Sequence, residues 1–118
     1  MRTVTLTLPM PPNIANARMH WAAKLRHKRA WEQRAIVGER GLRGRHRPMQ
    51  RCRCTAVLVL RQRMDDDNSV ARLKWVLDLL KIRGLVVDDK RPHLELTGIP
   101  EQRQGHPQRV ILTLEEVA

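Results

Sequence analysis

Aspartates are confined to one part of this sequence, and their spacing could hold a metal ion. All six lie between positions 65 and 89, and five of them form two clusters, at 65–67 and 88–89. Adjacent negative charges repel one another unless a cation neutralises them. Carboxylate oxygens suit Mg²⁺ or Mn²⁺, and such an ion can activate a water for attack on a phosphodiester. We therefore expect Asp65 and Asp67 to hold a metal ion, with Asp89 as a third ligand.

A lysine follows the first acidic cluster within the same predicted helix. Lys74 lies fewer than about two turns beyond the predicted start of that helix. Helical side chains lean toward the helix N-terminus, where the acids are. We expect Lys74 to belong to the catalytic site, where its ammonium could stabilise the transition state or hold a carboxylate in place.

The chain as a whole is strongly basic despite these acids. Lys and Arg number 23 against 12 Asp and Glu, a net charge of +11 over 118 residues. Charge of this sign and size indicates a polyanionic partner, and nucleic acid is the first candidate. Most of the cations are arginines, which favour two-pronged contacts with phosphate. The predicted DNA-binding residues are Arg26, Lys28 and Arg29 in a basic helix, Arg43, Arg45 and Arg47 in a loop, and Arg61 and Arg63 before the acids.

Composition excludes several other classes of protein. Two cysteines, Cys52 and Cys54, cannot form a disulfide scaffold, and the histidines around them lack the spacing of a zinc site. No apolar run approaches the ~20 residues that span a bilayer. The opening MRTVTLTLPM has no apolar block of the signal-peptide type. We expect a cytoplasmic protein without a membrane partner or a small-molecule cofactor.

Apolar patterning predicts a small α+β domain over residues 1–118. Alternation predicts strands at 3–8, 93–97 and 109–114, and the continuous apolar run 56–60 predicts a central strand covered on both faces. Helices are predicted at 21–42 and 69–83, and a polar loop at 101–108. The order β-α-β-α-β-β gives a mixed sheet of about four strands with two main helices.

The helix predicted at 69–83 has two apolar stripes, which indicates that it is covered on two sides. One cover would be the sheet and the other a second subunit. The stripes are Val70, Leu73, Leu77 and Leu80, and Trp75, Leu79 and Ile82. No alternation of basic and aromatic residues surrounds Trp21, Trp31 or Trp75, so core or interface positions are expected for them rather than base stacking.

A purely structural explanation of the acids also exists. Asp, Asn and Ser before a helix are ordinary N-cap residues, so Asp67, Asn68 or Ser69 could simply cap the second helix. The acids at 88–89 follow Gly84 and could lie in a solvated turn. Under this explanation the protein binds nucleic acid without cutting it.

Several motifs resemble the RusA family of Holliday-junction resolvases, which are common in phages and prophages. The run D-D-D-N at 65–68 resembles the family's D-x-D-N, and Lys74, Asp78, Gly84 and the D-D pair at 88–89 follow with the family's spacing. Three more residues separate Asn68 from the lysine than in the family's pattern. The opening strand into L-P-M-P-P at 8–12 and the ending at 109–115 are also similar, so the resemblance covers essentially the whole chain. The asparagine that follows Pro-Pro in the family is displaced here, which leaves Asn13 or Asn16 as candidates.

The resemblance implies a homodimeric, Mg²⁺-dependent endonuclease for four-way DNA junctions. Asp65, Asp67 and Asp89 match the family's essential carboxylates, and Lys74 matches its catalytic lysine. A two-fold dimer has two equivalent sites, as paired cuts in a nearly two-fold-symmetric junction require. Two alternatives remain open: an inactive nucleic-acid-binding protein of the same fold, and a nuclease for other branched DNA.

Overall fold

A computed structural model describes residues 1–13 and 18–118. The described residues form the small α+β domain that the patterning predicts, with a mixed sheet of five strands and two main helical segments. In chain order the elements are β1 (Thr3–Pro9), α1 (Trp21–Gly38), β2 (Cys52–Leu60), α2 (Asp66–Arg72), α3 (Lys74–Ile82), β3 (Leu94–Leu96), β4 (Glu101–Gln104) and β5 (Arg109–Glu116).

Strand β2 is the centre of the sheet. It pairs antiparallel with β5, and β5 pairs antiparallel with β1. On its other side β2 pairs in parallel with two short strands, β3 along its first residues and β4 along its last. Since β2 and β4 are parallel, their carboxyl ends lie at the same edge of the sheet.

The central strand is longer than predicted, and only its second half is covered on both faces. It begins at Cys52 rather than at position 56. Arg53 and Thr55 are exposed, so the first half has one solvent-facing side, whereas Val59 and Leu60 are both buried. The alternation of arginine and cysteine at 51–54 is the pattern of a strand covered on one face. The apolar run 56–60, from which the strand is predicted, marks only the part covered on both faces.

The segment 101–108 is predicted to be a loop, and this is wrong for its first half. Glu101–Gln104 is a strand although its sequence, EQRQ, has no apolar alternation. Its backbone pairs with β2 from Val57 to Leu60, so contact with the central strand determines the conformation rather than local preference.

Helix α1 is shorter than predicted because Glu39 leaves the helical path. The side chain of Glu39 accepts hydrogen bonds from the backbone N–H of Thr7 at 2.7 Å and of Gly41 at 3.0 Å. A separate 3₁₀ turn, Arg40–Leu42, follows. The predicted apolar side of this segment, with Trp31, Ala35 and Leu42, is confirmed as buried core.

The helix predicted at 69–83 is two helices with a break at Leu73. Helix α2 begins at Asp66, three residues earlier than predicted. Helix α3 ends in a Schellman motif: Leu85 N–H donates to Leu80 C=O and Gly84 N–H to Lys81 C=O. Gly84 has a φ of +76°, which a glycine adopts without strain.

The apolar residues that face the core differ from the two predicted stripes. Leu73, Val76, Leu79 and Leu80 are buried, although Val76 belongs to neither predicted stripe. Val70 and Ile82 are 42% and 58% exposed. The stripe predicted for a second subunit is therefore divided, since Leu79 packs inside the protomer and only Ile82 is exposed at the surface.

No helix in the described part of the chain is long and apolar enough to cross a membrane.

Candidate functional site

The first acidic cluster lies at the start of α2, where Asp65 is the N-cap. Its Oδ1 accepts a hydrogen bond from the Asn68 backbone N–H at 2.8 Å, and its Oδ2 accepts one from Asn68 Nδ2 at 3.0 Å. Asp66 and Asp67 are exposed in the first turn, where their negative charges interact favourably with the helix dipole. The capping chemistry that the sequence suggested is thus present, at Asp65 rather than at positions 67–69.

The second acidic cluster follows the turn that ends α3. Asp88 accepts a hydrogen bond from the Asp89 backbone N–H at 2.7 Å and lies 3.3 Å from Lys81 Nζ. The hydrogen bond from the Asp89 backbone N–H is the largest cause that holds the pKa of Asp88 below its ordinary value, and the contact with Lys81 adds to it. The cluster is positioned by the preceding residues, since Met49 N–H donates to Leu85 C=O and Val87 N–H to Met49 C=O.

The two clusters lie at opposite ends of the central strand. The first follows the carboxyl end of β2, and Met49, which pairs with the residues before the second, precedes its amino end. Within residues 1–13 and 18–118, no group of three or more His, Cys, Asp or Glu side chains could hold one metal ion. The oxygen donors of Asp65, Asp67 and Asp89 suit Mg²⁺, and their binding of one ion stays a prediction.

A cleft between α1 and α3 brings two of the predicted catalytic residues together. Lys74, at the start of α3, and Asp89, beyond its end, both contribute to the wall of this cleft. Its volume is about 420 Å³. The lining residues are Trp21, Lys24, Leu25, Lys28, Lys74, Trp75, Asp78 and Asp89.

An ion pair and an aromatic contact hold the walls of this cleft together. Lys28 of α1 pairs with Asp78 of α3, and the rings of Trp31 and Trp75 lie 6.4 Å apart at an angle of 45°. Glu32 lies next to this pair: burial raises its pKa, while Lys28 opposes the increase. The ammonium of Lys28, predicted to bind DNA, is thus already engaged by a carboxylate.

Two further clefts flank Arg61 and Arg63, where β2 ends. One, of about 410 Å³, also includes Gln102, Arg103 and Gln104 of β4. The other, of about 440 Å³, includes Met64, Arg72 and Gln108. The Gln102 side chain fixes the segment between them, since it accepts from Met64 N–H and donates to Met64 C=O, both at 2.9 Å.

Sequence reasoning missed Arg103 and Gln102 as members of this basic surface. Their segment is predicted to be a loop, and only the parallel pairing of β4 with β2 places them beside Arg61 and Arg63. No local signal in EQRQ indicates that pairing.

The other predicted DNA-binding residues lie elsewhere on the surface. Arg26 and Arg29 are exposed on α1, and Arg43, Arg45 and Arg47 are exposed in the segment that leads to the amino end of β2. Of the two candidate asparagines, Asn13 is exposed, and Asn16 lies outside the described residues.

The three tryptophans have different environments. Trp31 is buried and donates from Nε1 to Pro9 C=O at 2.9 Å, and Trp75 is partly buried against the core. Trp21 is 72% exposed at the mouth of the cleft between α1 and α3. Trp21 therefore lies outside the core, and the interface position predicted as its alternative stays a prediction.

Both cysteines are buried free thiols on one side of β2. Burial, with a smaller contribution from Cys52, raises the pKa of Cys54 to about 12. A thiol this difficult to ionise is a poor nucleophile and a poor metal ligand at neutral pH. The cysteines therefore belong to the core rather than to a reactive site.

No model of a known protein family matches this chain, and no curated protein is significantly similar to it. The resemblance to the RusA family stays a prediction that rests on the motifs themselves.

Proposed function

We propose that this protein is a Mg²⁺-dependent endodeoxyribonuclease that resolves four-way DNA junctions as a homodimer. The observation that carries the proposal is that Lys74 and Asp89, far apart in the sequence, line one cleft. A basic chain with a net charge of +11 and arginine-lined clefts supports DNA as the substrate.

Each group has a role in phosphodiester hydrolysis. The ammonium of Lys74 stabilises negative charge that develops on the phosphate oxygens. Arg61, Arg63 and Arg103 hold the DNA backbone where β2 and β4 end. A magnesium ion held by Asp65, Asp67 and Asp89 would supply an activated water and neutralise phosphate charge.

A two-fold dimer is the part of the proposal that unites the carboxylates. One protomer has Asp65 and Asp67 at the start of α2 and Asp89 after α3. If the α2–α3 segments of two protomers pack antiparallel, the first pair of one chain approaches Asp89 and Lys74 of the other. Such packing creates two equivalent sites, which suits matched cuts in two strands.

A second candidate function is DNA binding without catalysis. It is favoured by the engagement of both Asp65 carboxylate oxygens with Asn68, which is ordinary N-cap chemistry. A protein that only binds DNA gains nothing from exposed Asp66 and Asp67 near a phosphate backbone, because like charges repel. We therefore rank the nuclease first.

The test is incubation of the purified protein with a synthetic four-way junction and with a linear duplex of the same sequence. We expect paired cuts in the junction with Mg²⁺, none with EDTA, and little cleavage of the duplex. A forked or flapped substrate in the same assay separates a junction resolvase from a nuclease for other branched DNA. Tight junction binding without cleavage in Mg²⁺ or Mn²⁺ would favour the second candidate.

A further inference from the structure

The most exposed tryptophan lies at the mouth of the cleft rather than on an isolated surface. Trp21 is the first residue of α1 and is 72% exposed. The imidazole of His20 lies beside it, with ring centroids 5.6 Å apart and planes inclined by 32°. An exposed indole is a large apolar surface that gains free energy when a second flat ring covers it.

The cleft that begins at Trp21 combines this indole with cationic side chains. Lys24, Lys28 and Lys74 line it together with the apolar Leu25 and Trp75. The ion pair of Lys28 with Asp78 cancels one charge of each sign, so Lys24 and Lys74 outnumber the remaining acid, Asp89. Aromatic surfaces for bases and cations for the backbone are the combination with which proteins bind unpaired nucleotides.

The size of the cleft also suits a single nucleotide. Its volume of about 420 Å³ falls within the roughly 300–1,000 Å³ of small-molecule sites. A duplex presents its bases only at their edges, because their faces are stacked. An indole can therefore cover a base face only where a nucleotide has left the stack.

We propose that the cleft between α1 and α3 binds one unstacked nucleotide of DNA, with its base against Trp21 and its phosphates near the lysines. The inference rests on the proposed function, because it takes DNA as the ligand. It adds that the enzyme recognises an unpaired base at the branch as well as the charge of the backbone.

Intrinsic fluorescence tests this, since Trp31 is buried, Trp75 is partly buried in the wall of the cleft and Trp21 is exposed at its mouth. In EDTA, a short oligothymidylate is titrated into the full-length protein, with a linear duplex as the comparison ligand. We expect the oligothymidylate to quench the emission, and the duplex to quench it much less. Trp21→Phe should remove most of the quenching, leaving at most the share of Trp75 in the cleft wall, but keep most of the affinity, because phenylalanine also has a ring face.

Non-aromatic substitutions measure the contribution of stacking. Loss of one stacked base costs about 1–3 kcal/mol, so Trp21→Ala should weaken oligothymidylate binding about 5- to 150-fold. Trp21→Leu should weaken binding nearly as much, because it keeps apolar bulk without a ring. Val37→Ala is the matched control: Val37 is on the same helix and is 73% exposed, and this variant should bind like the wild type.

Three results would overturn the inference: quenching in Trp21→Phe as strong as in the wild type, Trp21→Leu binding as tightly as the wild type, or Trp21→Ala converting dimers to monomers. The last would assign Trp21 to a contact between subunits, and sedimentation detects it. Junction cleavage by the wild type is measured separately. Cleavage without quenching defeats only this inference, and quenching without cleavage defeats only the proposed nuclease.

Discussion

Two surfaces of the domain differ in the side chains that line them. Where β2 ends, the clefts are lined by arginine and glutamine, with Asp65 and Asp67 just beyond them. The cleft between α1 and α3 instead has lysines, tryptophans and two acids, one of them Asp89. The first surface is suited to holding a phosphate backbone and the second to contacting a base and a reacting phosphate. Each has part of the predicted catalytic set, and neither has all of it.

This comparison shows how the predicted catalytic residues are distributed in one protomer. Helices α2 and α3 connect the two surfaces, and the acids lie at the start of the first helix and after the end of the second. If the protein is a nuclease, both surfaces must contribute to one reaction. If it only binds DNA, the acids near β2 are helix-capping residues and their removal has little effect on function.

The largest expected effect is that of Asp67→Asn, which removes a charge and almost no volume. Loss of an outer partner of a metal ligand already costs about 10- to 100-fold, so loss of a ligand should reduce junction cleavage by more than about 100-fold. Junction binding in EDTA should survive or tighten, because one negative charge near phosphate is gone. Asp66→Asn, in the same exposed turn, is the control and should cleave normally. Wild-type cleavage by Asp67→Asn would remove Asp67 from the site.

Replacing arginines should have a smaller effect, on DNA binding, and the effect should differ between the clefts at the end of β2 and the segment before β2. Changing Arg61, Arg63 and Arg103 to Gln should weaken junction binding and reduce the salt slope of log K by about 1 for each phosphate that is no longer neutralised. The same change at Arg43, Arg45 and Arg47 should weaken all DNA binding without altering the preference for branches. Gel-shift titrations at several salt concentrations measure both. A flat salt dependence of the wild type would contradict both assignments.

The smallest effect concerns the core. Cys54 has a pKa of about 12 in the folded protein and an ordinary value of 9.0. The unfolded chain therefore releases this proton first, and the free energy of unfolding should fall as the pH rises from about 9 toward 12. Both thiols should resist Ellman's reagent at pH 8 until urea unfolds the protein. Rapid reaction of the native protein would show that β2 is more accessible than its burial indicates.

Local patterning predicted the elements whose own side chains determine their position. The alternation of Val4, Leu6 and Leu8 is enough to define β1, and Trp31 and Ala35 define the buried side of α1. By contrast, β4 has no apolar pattern and exists because it pairs with β2. The break at Leu73 could not be predicted either, since no glycine or proline interrupts the sequence there.

The sequence indicated which residues belong to the candidate site but not how they are arranged in space. The spacing of Asp65 and Asp67 correctly placed them beside a strand end and a helix start. That Asp89 joins them at one metal ion stays a prediction. After the turn at Gly84 the chain comes back along α3, because Asp88 contacts Lys81 and Asp89 lines the same cleft as Lys74. Sequence spacing alone does not reveal how far such a segment returns.

The most direct test of the account is a heterodimer of one Asp67→Asn chain and one Asp89→Asn chain, purified through two different tags. If each active site takes Asp67 from one protomer and Asp89 from the other, one of the two sites in this heterodimer is intact. We predict that it nicks four-way junctions and binds Mn²⁺ at one site, measured by electron paramagnetic resonance, whereas both mutant homodimers do neither. A heterodimer of Asp65→Asn and Asp67→Asn should stay inactive. Failure of the first heterodimer to regain both Mn²⁺ binding and nicking would contradict a site shared between protomers.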